Sequence, residues 1–332
     1  TNLTMQNINT EIDAAQDVDL AASDGNLDLN NLVTLIDLSG AAGINIITAD
    51  NGGADGGAGD GFIELAAVSD SGTPVELELN ADDGITLDTI TTANLLDVNL
   101  DVDLGGATLS TNAISSGTIT VDGTGADDTM NFAATVDAVT ATIDIDTANI
   151  VDFDADVTAA TNLTIGNVNT EIDLAANVDL DATAGNVAAT TGITLIDLSG
   201  IGSNLVTATG SVNLGAVGDS ANIAEFEVNA GTDITLASVT LDNGGASLLD
   251  VNLDTGADGI STLNSGLLNA GTVEVNGQGI NDTMNFTSTV DSSIAAITID
   301  TANIVDLDGD VTAATNLTMQ NINTEIDAAQ DV

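Results

Sequence analysis

Two sets of closely spaced acidic residues have types and spacing that suggest chemistry. The first set places Asp at alternate positions in VDFDADV and VDLDGDV, and the second alternates Asp with Asn in two copies of LDVNLD. The candidate ligands are Asp152, Asp154, Asp156, Asp306, Asp308 and Asp310 in the first set, and Asp97, Asn99, Asp101, Asp250, Asn252 and Asp254 in the second. Because alternate residues of an extended strand point to the same side, each set is predicted to line one strand face.

Calcium is the ion that such a face would suit. Ca²⁺ takes about six to eight oxygen ligands from carboxylates, Asn amides, backbone carbonyls and water, and clustered Asp with interleaved Asn and Gly supplies them. The sequence therefore predicts Ca²⁺ at some of these clusters. The alternative is a solvated acidic face that binds no specific ion.

The charge balance of the chain supports the prediction of bound cations. The chain carries 52 Asp and Glu residues and no Lys, Arg or His, so every counter-charge on a side chain must come from outside the molecule. Two carboxylates about 5 Å apart repel by about 0.8 kcal/mol in water and by roughly 3 kcal/mol at an effective dielectric near 20. Several such pairs together are comparable with the whole stability of a domain, about 5 to 15 kcal/mol. We therefore expect divalent cations as partners.

The same composition excludes several classes of function. Ser-His, Cys-His, Lys Schiff-base and His-metal sites need residues that the chain lacks. Without basic patches, nucleic acid is not an expected partner. Carboxylate chemistry alone remains, and a glycoside hydrolase using two Asp residues is a further alternative, although nothing in the sequence singles out a pair. We expect that the protein is not an enzyme.

The chain is built from long repeats. Residues 1–18 and 315–332 are identical, and residues 161–178 match them at 12 of 18 positions. The sequence thus divides into a first repeat at 1–160, a second repeat at 161–314, and the start of a next repeat at 315–332. A Gly-rich stretch at 50–61, DNGGADGGAGDG, lies where the first repeat is longer, and a surface loop is expected there.

Short segments with a period of two recur roughly every ten residues. Examples are VELELN from Val75, TITVDG from Thr118 and TIDIDT from Thr142, in which apolar residues alternate with Asp, Asn or Thr. This alternation is typical of half-buried strands and predicts an all-β fold. Two architectures fit, a β-solenoid and tandem β-sandwich domains, and the solenoid is favoured because the chain has one Pro and no Trp or Tyr.

Runs such as DVDLAASDGNLDLNN and DVDLDATAGNVAATTGITLIDLSG resemble the strand-repeat regions of very large bacterial surface proteins, the haemagglutinin-type exoproteins and adhesins. The resemblance implies a secreted β-helical fibre or adhesin stalk and an extracellular or cell-surface location. The expected function is a cation-stabilised structural repeat segment of an extracellular fibre, sheath or surface layer. The alternative is a calcium-stabilised adhesin stalk. Copies of itself, in a covalent array or a head-to-tail filament, are the expected protein partners. No apolar stretch of about 18 residues occurs, so no membrane span is expected.

Overall fold

The computed structural model describes residues 2–5, 8, 11–15, 17–23, 25–30, 33–40, 43–49, 61–100, 106–125, 127–241, 246–255 and 259–329. Among these residues the regular elements are β-strands, paired in parallel, and the fold is a β-solenoid. The chain forms two compact units. Unit 1 comprises Thr1–Ala160 and Ile165–Thr170, and unit 2 comprises Thr161–Thr164 and Glu171–Val332.

Unit 1 has three parallel faces, and each coil contributes one strand to each face. Face A contains β1 (Leu3–Thr4), β4 (Leu27–Leu29), β7 (Phe62–Leu65), β10 (Gly84–Leu87), β13 (Thr108–Thr111), β16 (Thr129–Phe132) and the end of β18 (Ile143–Phe153). Face B contains β2 (Ile12–Ala14), β5 (Ile36–Leu38), β8 (Val68–Ser69), β11 (Ile90–Thr91), β14 (Ile114–Ser116), β17 (Val136–Ala138) and β19 (Val157–Ala159). Face C contains β3 (Asp19–Ala22), β6 (Ile44–Ala49), β9 (Glu76–Ala81), β12 (Leu95–Leu100), β15 (Thr118–Gly123) and the start of β18.

Unit 2 repeats this arrangement, with several strands long enough to turn a corner and serve two faces. Face A contains β22 (Val187–Ala189), the first parts of β25 (Val212–Asp219), β27 (Ile234–Thr240) and β29 (Thr262–Ala270), then β31 (Thr283–Phe286) and the ends of β33 (Ile297–Leu307) and β35 (Leu317–Ala328). Face B contains the end of β20 (Leu163–Leu174), β23 (Ile196–Leu198), the second parts of β25, β27 and β29, then β32 (Val290–Ser292) and β34 (Val311–Ala313). Face C contains β21 (Asp179–Ala182), β24 (Ser203–Ala208), β26 (Glu225–Ala230), β28 (Leu248–Leu253), β30 (Thr272–Gly277) and the starts of β33 and β35.

The core of each unit consists of aliphatic side chains stacked coil on coil. The alternation in sequence gives each strand one buried and one outward row, as in the pattern iBiBiB of β9, β12 and β15. On face A of unit 1 the inward row is fully buried and runs through Leu27, Ile63, Ile85, Leu109, Met130 and Val151. Side chains of this kind gain about 1.5 to 3 kcal/mol each on full burial, so the core needs no large aromatic anchor.

The few aromatic residues fit into the same ladders. Phe132 and Phe153 are opposite each other on adjacent coils, with ring centroids 5.1 Å apart and planes 17° from parallel. Both are fully buried. The stacking follows from the parallel in-register pairing, which places equivalent positions of successive coils directly over one another.

The parallel pairing decides between the two predicted architectures. A β-sandwich is built from antiparallel sheets, whereas the strand pairs described here are parallel and join one coil to the next. The β-solenoid prediction is therefore confirmed.

The coils differ in length. Register partners such as Ile63 and Ile85 lie about 22 residues apart, within the range of a single coil, but Leu27 and Ile63 lie about 36 apart. The extra residues include the Gly-rich stretch, of which residues 50–60 lie outside the described residues.

Candidate cation-binding site

The first predicted Asp set is divided between a strand and the corner that follows it. Asp152 points outward from β18, which ends at the buried Phe153, while Asp154 and Asp156 are exposed residues of the turn before β19. Their equivalents are arranged in the same way in unit 2: Asp306, Asp308 and Asp310. The prediction that all three residues line one strand face is wrong, because the chain bends after the last buried side chain.

These corners are fixed by backbone hydrogen bonds to the preceding coil. The amide of Asp154 donates to the Phe132 carbonyl at 3.0 Å, and the Asp156 carbonyl accepts from the Val136 amide at 3.0 Å. In unit 2 the amide of Asp308 donates to the Phe286 carbonyl at 2.9 Å. The corner carboxylates are therefore presented to solvent on an ordered backbone.

The second predicted set lies mainly on face C. Asp97 and Asn99 point outward from β12, and Asp250 and Asn252 point outward from β28, so alternation correctly predicted their shared face. Asp101 lies outside the described residues. Asp254, one residue beyond β28, is instead buried, with 2% of its surface exposed and a left-handed backbone φ of 57°. The predicted outward position of Asp254 is wrong, because the strand has ended and the chain turns inward.

The structure shows a second kind of ladder that runs across the coils. Outward acidic residues of face C are register partners on adjacent coils: Glu78 with Asp97 in unit 1, and Glu227 with Asp250 and Glu274 in unit 2. Adjacent strands lie about 4.8 Å apart, so like charges are stacked at nearly the distance of closest packing. We call these two rows the acidic ladders.

An asparagine ladder runs beside each acidic ladder, two residues further along the strands. In unit 2 the side-chain amide of Asn252 donates to Asn229 Oδ1 at 3.0 Å, and that of Asn276 donates to Asn252 Oδ1 at 3.1 Å. In unit 1 Asn99 donates to Asn80 Oδ1 at 3.0 Å. These bonds link successive coils through their side chains in addition to the backbone pairing.

The first asparagine of each of these ladders donates its own amide to the acidic ladder. Asn80 donates to Glu78 at 2.8 Å and Asn229 donates to Glu227 at 2.7 Å. Neutral amide donors reduce the free-energy cost of holding each ionised carboxylate in the ladder, but they carry no net charge. The electrostatic repulsion between successive coils therefore remains.

The pKa values of the ladder carboxyls show this remaining repulsion. Burial raises the pKa of Asp250, the hydrogen bond from Asn252 opposes the rise, and the charges of Glu227 and Glu274 add to it. Burial and the charge of Glu78 likewise raise the pKa of Asp97. The pKa is also raised, with burial as the largest cause, at Glu76, Asp122, Asp144, Glu171 and Asp181.

Asp300 shows the opposite behaviour where amide donors outnumber like charges. Burial acts to raise its pKa, but side-chain hydrogen bonds from Gln320, Asn321 and Thr301 lower it below its ordinary value. Gln320 donates to Asp300 Oδ2 at 2.8 Å and Asn321 to Oδ1 at 2.6 Å. Local donors can thus stabilise one charge on face C, whereas the acidic ladders place charges too close together for this.

Sequence reasoning missed the acidic ladders because it searched along strands instead of across coils. A signal was present: an acidic residue, any residue, then Asn recurs at Glu78, Asp97, Glu227, Asp250 and Glu274. Recurrence of one motif at the spacing of a coil predicts a vertical row in a solenoid. Within the described residues, no group of three or more acidic side chains is placed to hold a metal ion.

Two further aspartates, at equivalent places in the two units, are completely buried. Asp128 accepts from the amides of Ala107 at 2.9 Å and Gly125 at 3.3 Å. Asp282 accepts from the amides of Ser261 and Gly279, both at 3.1 Å. Each carboxylate thus fastens a loop to the body of its own unit through backbone N–H donors, and neither was predicted from the sequence.

No protein-family model, curated protein or solved structure matches this chain. In the described part of the chain, no helix has the length and apolar character needed to cross a bilayer.

Proposed function

We propose that this chain is a structural repeat segment of an extracellular fibre, sheath or surface layer, and that divalent cations, foremost Ca²⁺, stabilise its acidic faces. The observation that carries the proposal is the stacking of Glu227, Asp250 and Glu274 on successive coils of a chain with no cationic side chain. An ordinary soluble protein would interleave Lys or Arg in such a row, because like charges directly opposite are destabilising.

Divalent cations fit this arrangement better than monovalent ones. Screening at physiological salt acts over about 8 Å, which is longer than the spacing of neighbouring ladder carboxylates. A Ca²⁺ ion shared between adjacent carboxylates neutralises both and accepts further ligands from water or amide oxygens. The outward carboxylates of face C, with Asp97 and Asp250 at their centres, and the exposed corner aspartates Asp154 and Asp308 are the proposed ligands.

The fold supports a mechanical role. Each unit is held by continuous parallel ladders of backbone hydrogen bonds, aliphatic side chains and asparagine amides, so a load on one coil is shared with its neighbours. A catalytic role would require a defined pair of carboxylates acting on a substrate. The ladders instead repeat one chemistry on successive coils, which suits a cumulative function such as cohesion.

Copies of the repeat are the proposed protein partner. Residues 315–332 have the same sequence as residues 1–18. In unit 1, Leu3 and Ile12 of this sequence pair with Leu27 and Ile36 of the next coil. The equivalent residues of β35 are about half exposed, Leu317 and Ile326 at 48% each. A further copy, in the same chain or joined head to tail, would cover them by the same pairing.

Electron microscopy of native material tests the proposed function. Filaments or sheets with a regular axial repeat, which lose order when calcium is chelated, are the expected result. Single tapering molecules attached to cells would favour an adhesin stalk, in which this segment only spaces a separate binding head from the surface. Dispersed globular particles unaffected by chelation would contradict the proposal.

A further inference from the structure

Two aspartates are buried together at one corner of unit 2, apart from the outward ladders. Asp254 follows β28 and has 2% of its surface exposed, and Asp282 precedes β31 and has none exposed. Buried carboxylates are normally paired with a cation, because desolvation of an isolated charge is costly. This chain has no cationic side chain to pair with them.

Both carboxylates lie close against Gly279. A methyl carbon built on Gly279 would lie 3.2 Å from Asp254 Oδ2 and 3.4 Å from each carboxylate oxygen of Asp282. A side chain at this place would crowd both carboxylates, which therefore lie close together against the glycine. We call Asp254 and Asp282 the corner pair.

The hydrogen bonds of the corner pair are unequal. Asp282 accepts from the amides of Ser261 and Gly279, whereas Asp254 accepts from the Gly259 amide at 2.8 Å through Oδ2. The other oxygen, Asp254 Oδ1, is buried and has no hydrogen-bond donor within the described residues. A buried acceptor left without a partner costs about 1 to 3 kcal/mol, and more when it is charged. This oxygen thus needs a partner that the described chain does not supply.

The electrostatics of the corner pair also favour a bound cation. Burial raises the pKa of Asp282, the amides of Gly279 and Ser261 oppose the rise, and the charge of Asp254 adds to it. Each carboxylate also retains free lone pairs, since an ionised Asp can accept about four hydrogen bonds. The corner pair combines unused acceptor capacity with uncompensated negative charge.

We propose that Asp254 and Asp282 bind one calcium ion at this corner, through the Asp254 carboxylate, whose Oδ1 has no hydrogen-bond donor within the described residues, and the free lone pairs of the Asp282 carboxylate. The ligands are all oxygen, which favours a hard cation over zinc or copper. The proposal deepens the cation dependence proposed above and rests on it, but it names one buried site instead of the outward faces. Two carboxylates with water completing the shell suit a weak extracellular type of site, with a Kd of about 0.1 to 1 mM.

Calcium titration of the full chain by isothermal calorimetry, at constant sodium chloride, tests the proposal. Asp254→Asn is the main variant, because Asn keeps the shape and can still accept from the Gly259 amide. Gly279→Ala is the second variant, since its methyl group would crowd the facing oxygens of both carboxylates without changing any charge. Asp291→Asn is the matched control, because it removes one outward charge of the same unit whose register partners, Asn269 and Thr312, are uncharged and which belongs to neither proposed cation site. Far-UV circular dichroism checks that each variant keeps its strand content.

The expected result is a saturable class of calcium sites that loses one ion per chain, or at least tenfold in affinity, in both Asp254→Asn and Gly279→Ala. Asp291→Asn should retain that class. Unchanged stoichiometry and affinity in folded Asp254→Asn would overturn the corner site, as would the absence of saturable binding in the parent chain. If calcium still raises the Tm of Asp254→Asn as much as that of the parent, the outward faces bind cations and only the corner site is refuted.

Discussion

Replacing Asp250 with Asn should stabilise the protein when calcium is absent. Asp250 is the middle member of the acidic ladder of unit 2, with Glu227 on one neighbouring coil and Glu274 on the other. Asn is nearly the same size and can still accept through its oxygen the hydrogen bond that Asn276 donates to Asp250 at 3.4 Å. The substitution therefore removes two repulsions while keeping the packing.

The expected gain follows from the spacing of the strands. At about 5 Å each pair repels by about 0.8 kcal/mol in water and by roughly 3 kcal/mol at a dielectric near 20. The Asp250 side chain is half-buried and the two Glu side chains can bend apart, so we expect values near the lower limit. A total of about 1 to 2 kcal/mol for two pairs corresponds to a rise in Tm of about 2 to 8 °C for a cooperative unit of this size.

The assay is thermal unfolding followed by circular dichroism, in sodium chloride with a chelator. Asp291→Asn is the control, because Asp291 also points outward but its register partners, Asn269 and Thr312, are uncharged. The control should change stability by no more than about 0.5 kcal/mol. In saturating calcium the advantage of Asp250→Asn should shrink, because the ion then neutralises the ladder. Equal effects of the two substitutions in the chelator would refute the electrostatic reasoning.

Three further outcomes follow from the same structure. Carboxyls whose pKa is raised in the folded state bind protons at a pH where the unfolded chain has released them. The Tm measured by calorimetry should therefore rise as pH falls from 7 towards about 4.5, and a falling Tm would contradict this expectation. Gly266→Ala places a methyl carbon 2.0 Å from the Ala237 carbonyl oxygen and should lower the free energy of unfolding in urea by more than about 2 kcal/mol. In the control Gly215→Ala the nearest neighbour is 3.4 Å away, so the free energy of unfolding should change by less than about 1 kcal/mol. Phe132→Ala removes the ring stacked on Phe153 and should cost about 3 to 5 kcal/mol by the same assay, and a loss below 1 kcal/mol would argue against the packing.

The fold was predictable because one local rule repeats along the chain. Alternation in segments such as 75–80 and 118–123 defines a buried and an outward row wherever a strand occurs. The single Pro and the absence of Trp and Tyr favour a solenoid over sandwich domains. The outward positions of Asp97 and Asp250 follow from this rule alone.

The rule fails where strands end, and strand ends depend on the corners of the coil. Asp154 continues the alternation of Asp152 in sequence but lies in a turn, and Asp254 continues that of Asp250 but turns inward. Which residues are stacked across coils depends on loop lengths, as the long step from Leu27 to Ile63 shows. The corner pair joins residues of different coils, so period-two patterning could not reveal it.

The most direct measurement of the central claim is the Tm of the parent chain in calcium and in sodium chloride with a chelator, at equal ionic strength and neutral pH. Equal ionic strength keeps general screening constant, so a difference reports cation binding to the folded state. If cations bound from solution hold the stacked carboxylates together, the Tm rises with calcium concentration and returns to its starting value on chelation. Superimposable unfolding curves in the two buffers would contradict the account.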